Sequence, residues 1–237
     1  KSQIKLIRSL QQKKYRIQNG MFVAEGIKTV QELVNSAFRT HMIYTTDPSK
    51  IEVQSDLLEM VSTAELKQMS GLKNPNTVLG VFYFPQKKEE ELNDWTVVLD
   101  DIRDPGNMGT ILRLCDWFGI QTLVCSMNTV DCYNPKVLQA SMGSITRVNV
   151  IYTDLDNFLR KIELPIFGAF MEGNSVYTEQ LPKAGILIMG NEANGISTEI
   201  ESTISKKISI PHYGKKTTES LNVATATAIL LNEVRRG

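Results

Sequence analysis

The chain has 237 residues, 42% of them hydrophobic, with 26 Lys and Arg balanced against 26 Asp and Glu. That length suits two domains, and the apolar share argues for a packed core and against wholesale disorder. No apolar run nears the ~20 residues that span a bilayer, and Cys115, Cys125 and Cys132 are odd in number with no C-x-x-C pair, which argues against a disulfide framework or zinc site and fits a reducing, cytoplasmic setting.

The first sixteen residues carry Lys1, Lys5, Arg8, Lys13, Lys14 and Arg16 and no acidic residue. Such a stretch suits phosphate contact or, equally, the solvated face of a helix. Ile4, Leu6, Ile7 and Leu10 form an apolar stripe on that basic helix. A strand is expected at 22–24 and a helix from Gly26 to Ser36. Further strands are expected at 41–45 and 79–84, the latter closed by Pro85. Lys5, Arg8, Lys13, Lys14 and Arg16 are the candidate nucleic-acid phosphate contacts of this first region. The run from Pro85 to Asp94 is charged and polar and reads as a linker, which divides the chain into domains at 1–88 and 95–237. The first ten residues lack a secretory signal pattern.

Beyond the linker, strand and helix alternate. A strand is expected over Trp95–Ile102, a loop at 103–109, a helix over Thr110–Phe118 stopped by Gly119, and a strand at 121–126. This βαβ unit implies parallel strands. Asn134-Pro135 starts another helix. Strands are expected at 146–152, 165–170, 186–189 and 208–210, and a closing helix from Leu221 to Arg235. The result is an α/β fold with a parallel sheet, and ligands of such folds gather at the carboxyl ends of the strands.

Three turns fall at those ends. The first, Asp104 to Gly109, is glycine-rich but is neither a P-loop nor G-x-G-x-x-G; a tight strand-to-helix turn explains it as well. In the helix behind it, Ile111, Leu112, Leu114, Cys115 and Phe118 share the core arc, which leaves Arg113 and Trp117 together on the outer face. The second turn holds Gly190, Asn191, Glu192, Asn194 and Gly195, residues that tolerate left-handed backbone. The third runs from Ile210 to Asn222, with Ser220 as a plausible helix cap. His41 and His212 lack ligand spacing, and no metal is expected.

In order and separation these turns resemble the three motifs of the SpoU/TrmH branch of the SPOUT RNA methyltransferases. Asn107 to Arg113 matches N-x-G-x-x-x-R. Gly190, Glu192 and Gly195 match G-x-E-x-x-G. Ile210, Pro211, Gly214, Glu219, Ser220, Leu221, Asn222 and Val223 match the third motif. Phe22 to Gly26 resembles the family's ribosomal-protein-like substrate-binding domain, of L30e type, so the resemblance covers nearly the whole chain. It implies a parallel α/β domain ending in a trefoil knot, and a homodimer with its active site at the subunit interface. It further implies transfer of a methyl group from S-adenosylmethionine to a ribose 2′-hydroxyl, in ribosomal RNA first and tRNA second. The implied chemical residues are Arg113, Asn107, Glu192, Ser220 and Asn222. The implied cofactor contacts are Gly190, Asn191, Gly195, Ile210, Leu221 and Ala224. Gln139, where relatives often have arginine, and His212-Tyr213, after Ile-Pro, depart from the pattern. A guanidinium is a poor base, so Arg113 is expected to grip phosphate and stabilise a developing alkoxide. A silent RNA-binding protein of the same fold and a dinucleotide-dependent enzyme are the competing readings.

Overall fold

The structure, a computed structural model, describes residues 2–86, 92–214 and 220–236. It divides into two compact units, Lys1–Lys87 with Asp131–Thr146, and Lys88–Val130 with Arg147–Gly237. Half of the expected linker, residues 87–91, lies outside the described residues.

The first unit opens with α1 (Ser2–Ser9) and α2 (Lys13–Asn19). Gly20 ends α2 at φ 63, a left-handed angle that costs glycine nothing. A four-stranded sheet follows, in the order β1 (Met21–Glu25), β4 (Val78–Tyr83), β2 (Thr40–Thr45), β3 (Leu58–Met60). Helices α3 (Ile27–Val34) and α4 (Thr63–Met69) complete the first segment. Ile7 and Leu10 of the expected apolar stripe pack against Met21, Val23, Leu79 and Val81. Helix α4 was not anticipated, although Ser62 and Glu65 form a capping box at its start, the local sequence signature of a helix N-terminus.

The segment 131–146 carries α6 (Pro135–Ser141), capped by Asn134 as expected. Tyr133, just before it, stacks on Phe22 and Phe84 with ring centroids 4.6 and 4.7 Å apart. Arg16 corrects the sequence reading. It is 2% exposed. It donates to Asp131 Oδ2 from Nε and Nη2 at 2.9 and 2.5 Å, and from Nη1 to the carbonyls of Leu10 and Gln11. A guanidinium with its donors satisfied inside the unit is structural and is not available to phosphate.

The second unit holds a six-stranded sheet in the order β10 (Lys206–Ser209), β8 (Ile166–Ser175), β9 (Ile186–Gly190), β5 (Thr96–Asp100), β6 (Thr122–Ser126), β7 (Asn149–Thr153). Every pairing in it is parallel. The chain runs outward through β5, β6 and β7, then crosses to the other side of β5 for β8, β9 and β10. The reversal of strand order therefore falls between β5 and β9. The remaining helices are α5 (Pro105–Trp117), α7 (Leu155–Leu159), α8 (Thr198–Glu201) and α9 (Val223–Arg236), and α9 packs on α5. Arg235 in the last turn of α9 donates to the carbonyls of Phe118 and Gly119, closing the C-terminal end of α5.

Two boundaries differ from expectation. Helix α5 begins at Pro105, so most of the expected first loop is helix: Asp104 accepts the amide of Asn107 and Pro105 takes the first turn. Helix α9 is capped by Asn222, whose Oδ1 accepts the amides of Ala224 and Thr225 at 2.9 and 3.2 Å, which leaves Ser220 without the cap role. Among the described residues no helix is long and apolar enough to cross a membrane, and no cluster of three His, Cys, Asp or Glu could hold a metal ion.

Candidate active site

Strands β5 and β9 end side by side, with Asp100 paired to Gly190. At the reversal of strand order the loops leaving two such strands diverge and open a crevice. Asp100, 7% exposed, accepts the amide of Ser197 at 2.8 Å and so ties down the loop after β9. Asp101 sits at φ 59, an uncommon angle outside glycine. It is held there by its amide to Ser126 Oγ at 2.9 Å and by its carbonyl, which accepts Asn191 Nδ2 at 2.7 Å.

The loop after β9 is built almost wholly from its own backbone. Asn191 and Gly195 exchange two backbone hydrogen bonds, 3.0 and 2.9 Å long, and Asn191 Oδ1 also accepts the amides of Ala193 and Asn194. At Gly190 a Cβ would overlap the backbone of Gly195 and Ile196, so the loop can fold back on itself only over a glycine. That closure turns Glu192 outward.

Three turns distant in sequence meet at one side chain. Asn107, in the first turn of α5, donates from Nδ2 to Glu192 Oε1 at 2.8 Å and accepts at Oδ1 from Asn222 Nδ2 at 2.9 Å. The expected trio Asn107, Glu192 and Asn222 is thus one hydrogen-bonded chain. Glu219 of the third motif lies outside the described residues.

Beside this chain is a cavity of about 1330 Å³. Gly190, Asn191, Gly195, Ile210 and Leu221, all named as cofactor contacts from the resemblance, line it together with Glu192 and Ser220. Ala224 does not. It is buried beside its capping bond, and Ala226, the next small residue of α9, takes the cavity position. Sequence reasoning missed the far wall, where Phe170, Met171 and Glu172 of β8 and Lys207 of β10 line the same space. Met171 and Glu172 lie past the expected end of β8 at 170, Lys207 lies before the expected start of β10 at 208, and nothing in the local pattern marks these residues or Phe170 as a site.

Arg113 and Trp117 stand on the exposed face of α5, as the helical spacing predicted, and Trp117 is 84% exposed. Among the described residues the Arg113 guanidinium has no carboxylate partner. Lys5, Arg8, Lys13 and Lys14 are exposed on α1 and α2.

The second unit is therefore a parallel α/β domain with its cavity at the carboxyl end of β9, bounded by β8, β10 and the third turn, at the end of the sheet where that class takes small ligands. The chain belongs to the SpoU rRNA methylase family, whose profile matches residues 94–232. Residues 1–80 match an MRM3-like substrate binding domain. The 23S rRNA (guanosine(2553)-2′-O)-methyltransferase RlmP of Bacillus subtilis is 28% identical, over 96% of this chain and 94% of its own. A TrmH-family protein from Porphyromonas gingivalis superposes with a TM-score of 0.91 at 36% identity, covering 99% of this chain and 97% of the other. An AdoMet-bound rRNA methyltransferase from Sinorhizobium meliloti superposes at 0.86 with 28% identity, over 98% and 94%.

Proposed function

We propose that the chain transfers a methyl group from S-adenosylmethionine to a ribose 2′-hydroxyl of ribosomal RNA. The observation that carries this reading is the Glu192–Asn107–Asn222 chain, which joins three motifs beside one cavity. The RNA class rests on the likeness to RlmP across nearly both full lengths.

The cavity residues suit the cofactor. Ile210, Leu221 and Val223 offer apolar surface to a flat base, and Glu172 and Glu192 offer negative charge to a sulfonium, whereas Glu201 is paired with Lys207. Gly190 lines the cavity, and its missing Cβ lets the loop after β9 close into the turn that forms this wall. S-adenosylmethionine, when bound, supplies a methyl group already activated on sulfur.

The protein's own task is to place the sugar oxygen in line and to stabilise the charge that develops on it. Asn107, fixed from both sides, holds the Glu192 loop and the start of α9 in one arrangement. Ser220, at the cavity wall, is a hydroxyl within the same space as the acceptor. Arg113, an exposed cation without a carboxylate partner among the described residues, grips the neighbouring phosphate and stabilises the alkoxide. Lys5, Arg8, Lys13 and Lys14 contact the RNA backbone from the first unit, which we take as the substrate-binding domain of L30e type. The boundary of that domain near 88 and the start of the catalytic domain at 95 belong to the same reading.

We propose the C-terminal trefoil knot that the family resemblance implies; the packing of α9 on α5, away from the edge strand β10 that precedes it in sequence, is in keeping with it. A second copy of the chain would cover the exposed Arg113–Trp117 face, which supports a homodimeric active site. The three buried thiols suit a reducing, cytoplasmic setting.

The test is methyl transfer from labelled S-adenosylmethionine to protein-free ribosomal RNA, with the product mapped for 2′-O-methyl groups. The wild-type chain is expected to label one ribose, and Arg113→Ala to lose at least tenfold in turnover on the order of a lost transition-state contact. No labelling by the wild-type chain overturns the activity. Near wild-type turnover in both Arg113→Ala and Arg113→Lys overturns the role given to that residue.

A further inference from the structure

We propose that Arg39, stacked on Tyr83 and backed by His41, is a phosphate-gripping site for structured RNA on the first unit, an inference that rests on RNA being the substrate. The Arg39 guanidinium carbon lies 3.7 Å from the centroid of the Tyr83 ring. Tyr83 is fixed in turn: its hydroxyl is 2.9 Å from His41 Nδ1, the two rings meet at 90° with centroids 5.5 Å apart, and its backbone amide donates to the Arg39 carbonyl at 3.0 Å. The ring also packs against the unit's core cluster.

The other side chains show why this one stands out. Arg103, Arg147, Arg160, Arg235 and Arg236 each pair with a carboxylate. Arg39 is exposed, and among the described residues its guanidinium has no hydrogen bond or ion pair. Its order comes from an aromatic face instead. A stacked guanidinium keeps its N–H donors directed outward in its plane, which matches phosphate oxygens, and its rotamer entropy is already spent.

The surroundings favour a polyanion over a lone ion. Ile4 and Leu6 of α1 pack on the same core cluster as Tyr83, so the exposed Lys5 and Arg8 belong to the same layer. Met21, next after α2 and Gly20, pairs directly with Tyr83. Exposed cations without an ion pair among the described residues, Lys5, Arg8 and Arg39 together, suit an RNA backbone better than a lone ion.

Binding of the full chain to protein-free ribosomal RNA, measured over a salt series, tests the proposal. Arg39→Ala is expected to weaken binding about threefold to tenfold and to lower the slope of log affinity against log salt by about one, as one lost phosphate contact does. Arg39→Lys keeps the charge without the planar fork and should fall between. Thermal midpoint and S-adenosylmethionine affinity should stay at wild-type values in both. Affinity within twofold of wild type with an unchanged salt slope in Arg39→Ala would overturn the proposal, as would a wild-type chain that binds no ribosomal RNA. Failure of the catalytic reading registers separately, as binding without methyl transfer.

Discussion

Asn222 performs two tasks with one amide: its Nδ2 donates to Asn107 Oδ1, and its Oδ1 caps α9 through the amides of Ala224 and Thr225. The two can be separated by mutation. Asn222→Asp keeps the cap acceptor and removes the donor, so the fold should stay near wild-type stability while methyl transfer falls at least about tenfold. Asn222→Ala removes both and should also cost about 1 kcal/mol of stability. Thermal melts beside turnover decide it; equal activity in Asn222→Asp and wild type would remove the link to Asn107 from the mechanism.

Gly190 is where the loop after β9 closes on itself. Gly190→Ala inserts a methyl against backbone that cannot rotate away, and the loop must open to admit it. The expected cost is about 1–3 kcal/mol, with loss of measurable cofactor binding by calorimetry. An alanine variant that binds the cofactor normally would show that the turn is not part of the binding surface.

Arg16 and Asp131 form a buried pair in the first unit. Asp131→Ala strands a buried guanidinium and should destabilise by about 3–5 kcal/mol. The double variant Arg16→Met with Asp131→Ala should cost less than Asp131→Ala alone, because no unpaired charge remains. Denaturant melts of the three proteins measure this, and a more unstable double variant would contradict it.

Asp94 and Arg235 predict a pH dependence. Both Asp94 oxygens accept from Arg235 at 2.8 Å, and these hydrogen bonds hold the carboxyl below its ordinary value of 3.8. A carboxylate depressed in the folded state stabilises it above the unfolded value, and that contribution disappears as pH falls through the folded one. The melting difference between wild type and Asp94→Asn should therefore be steady at neutral pH and shrink as pH drops below about 3.8. A difference that instead grows in acid would reverse the assignment.

Much of the chain beyond residue 94 was readable from sequence because its signals are local. Gly119 stops α5, Asn134 starts α6, and the outer placement of Arg113 and Trp117 follows from helical spacing alone. The start of α5 was misplaced because Gly106 and Gly109 suggest a loop, while the decisive signals are Asp104 and Pro105. The far wall of the cavity was unreadable: Met171 and Glu172 lie in the irregular stretch of β8 between the pairs Gly168–Lys207 and Asn174–Ile208, a register shift that no local pattern announces. Arg16 illustrates the same limit. Its charge argued for the surface, and its partner lies 115 residues away.

The excursion of residues 131–146 has a consequence for how such proteins can be cut and recombined. A fragment ending near residue 86 would contain every strand of the first sheet, yet lack the tyrosine that lies on Phe22 and Phe84 and the acid that neutralises Arg16. Swapping that fragment between relatives would therefore leave a foreign α6 on an unmatched surface. The inheritable module is two stretches of chain, and a transplant that carries both is the one that should fold.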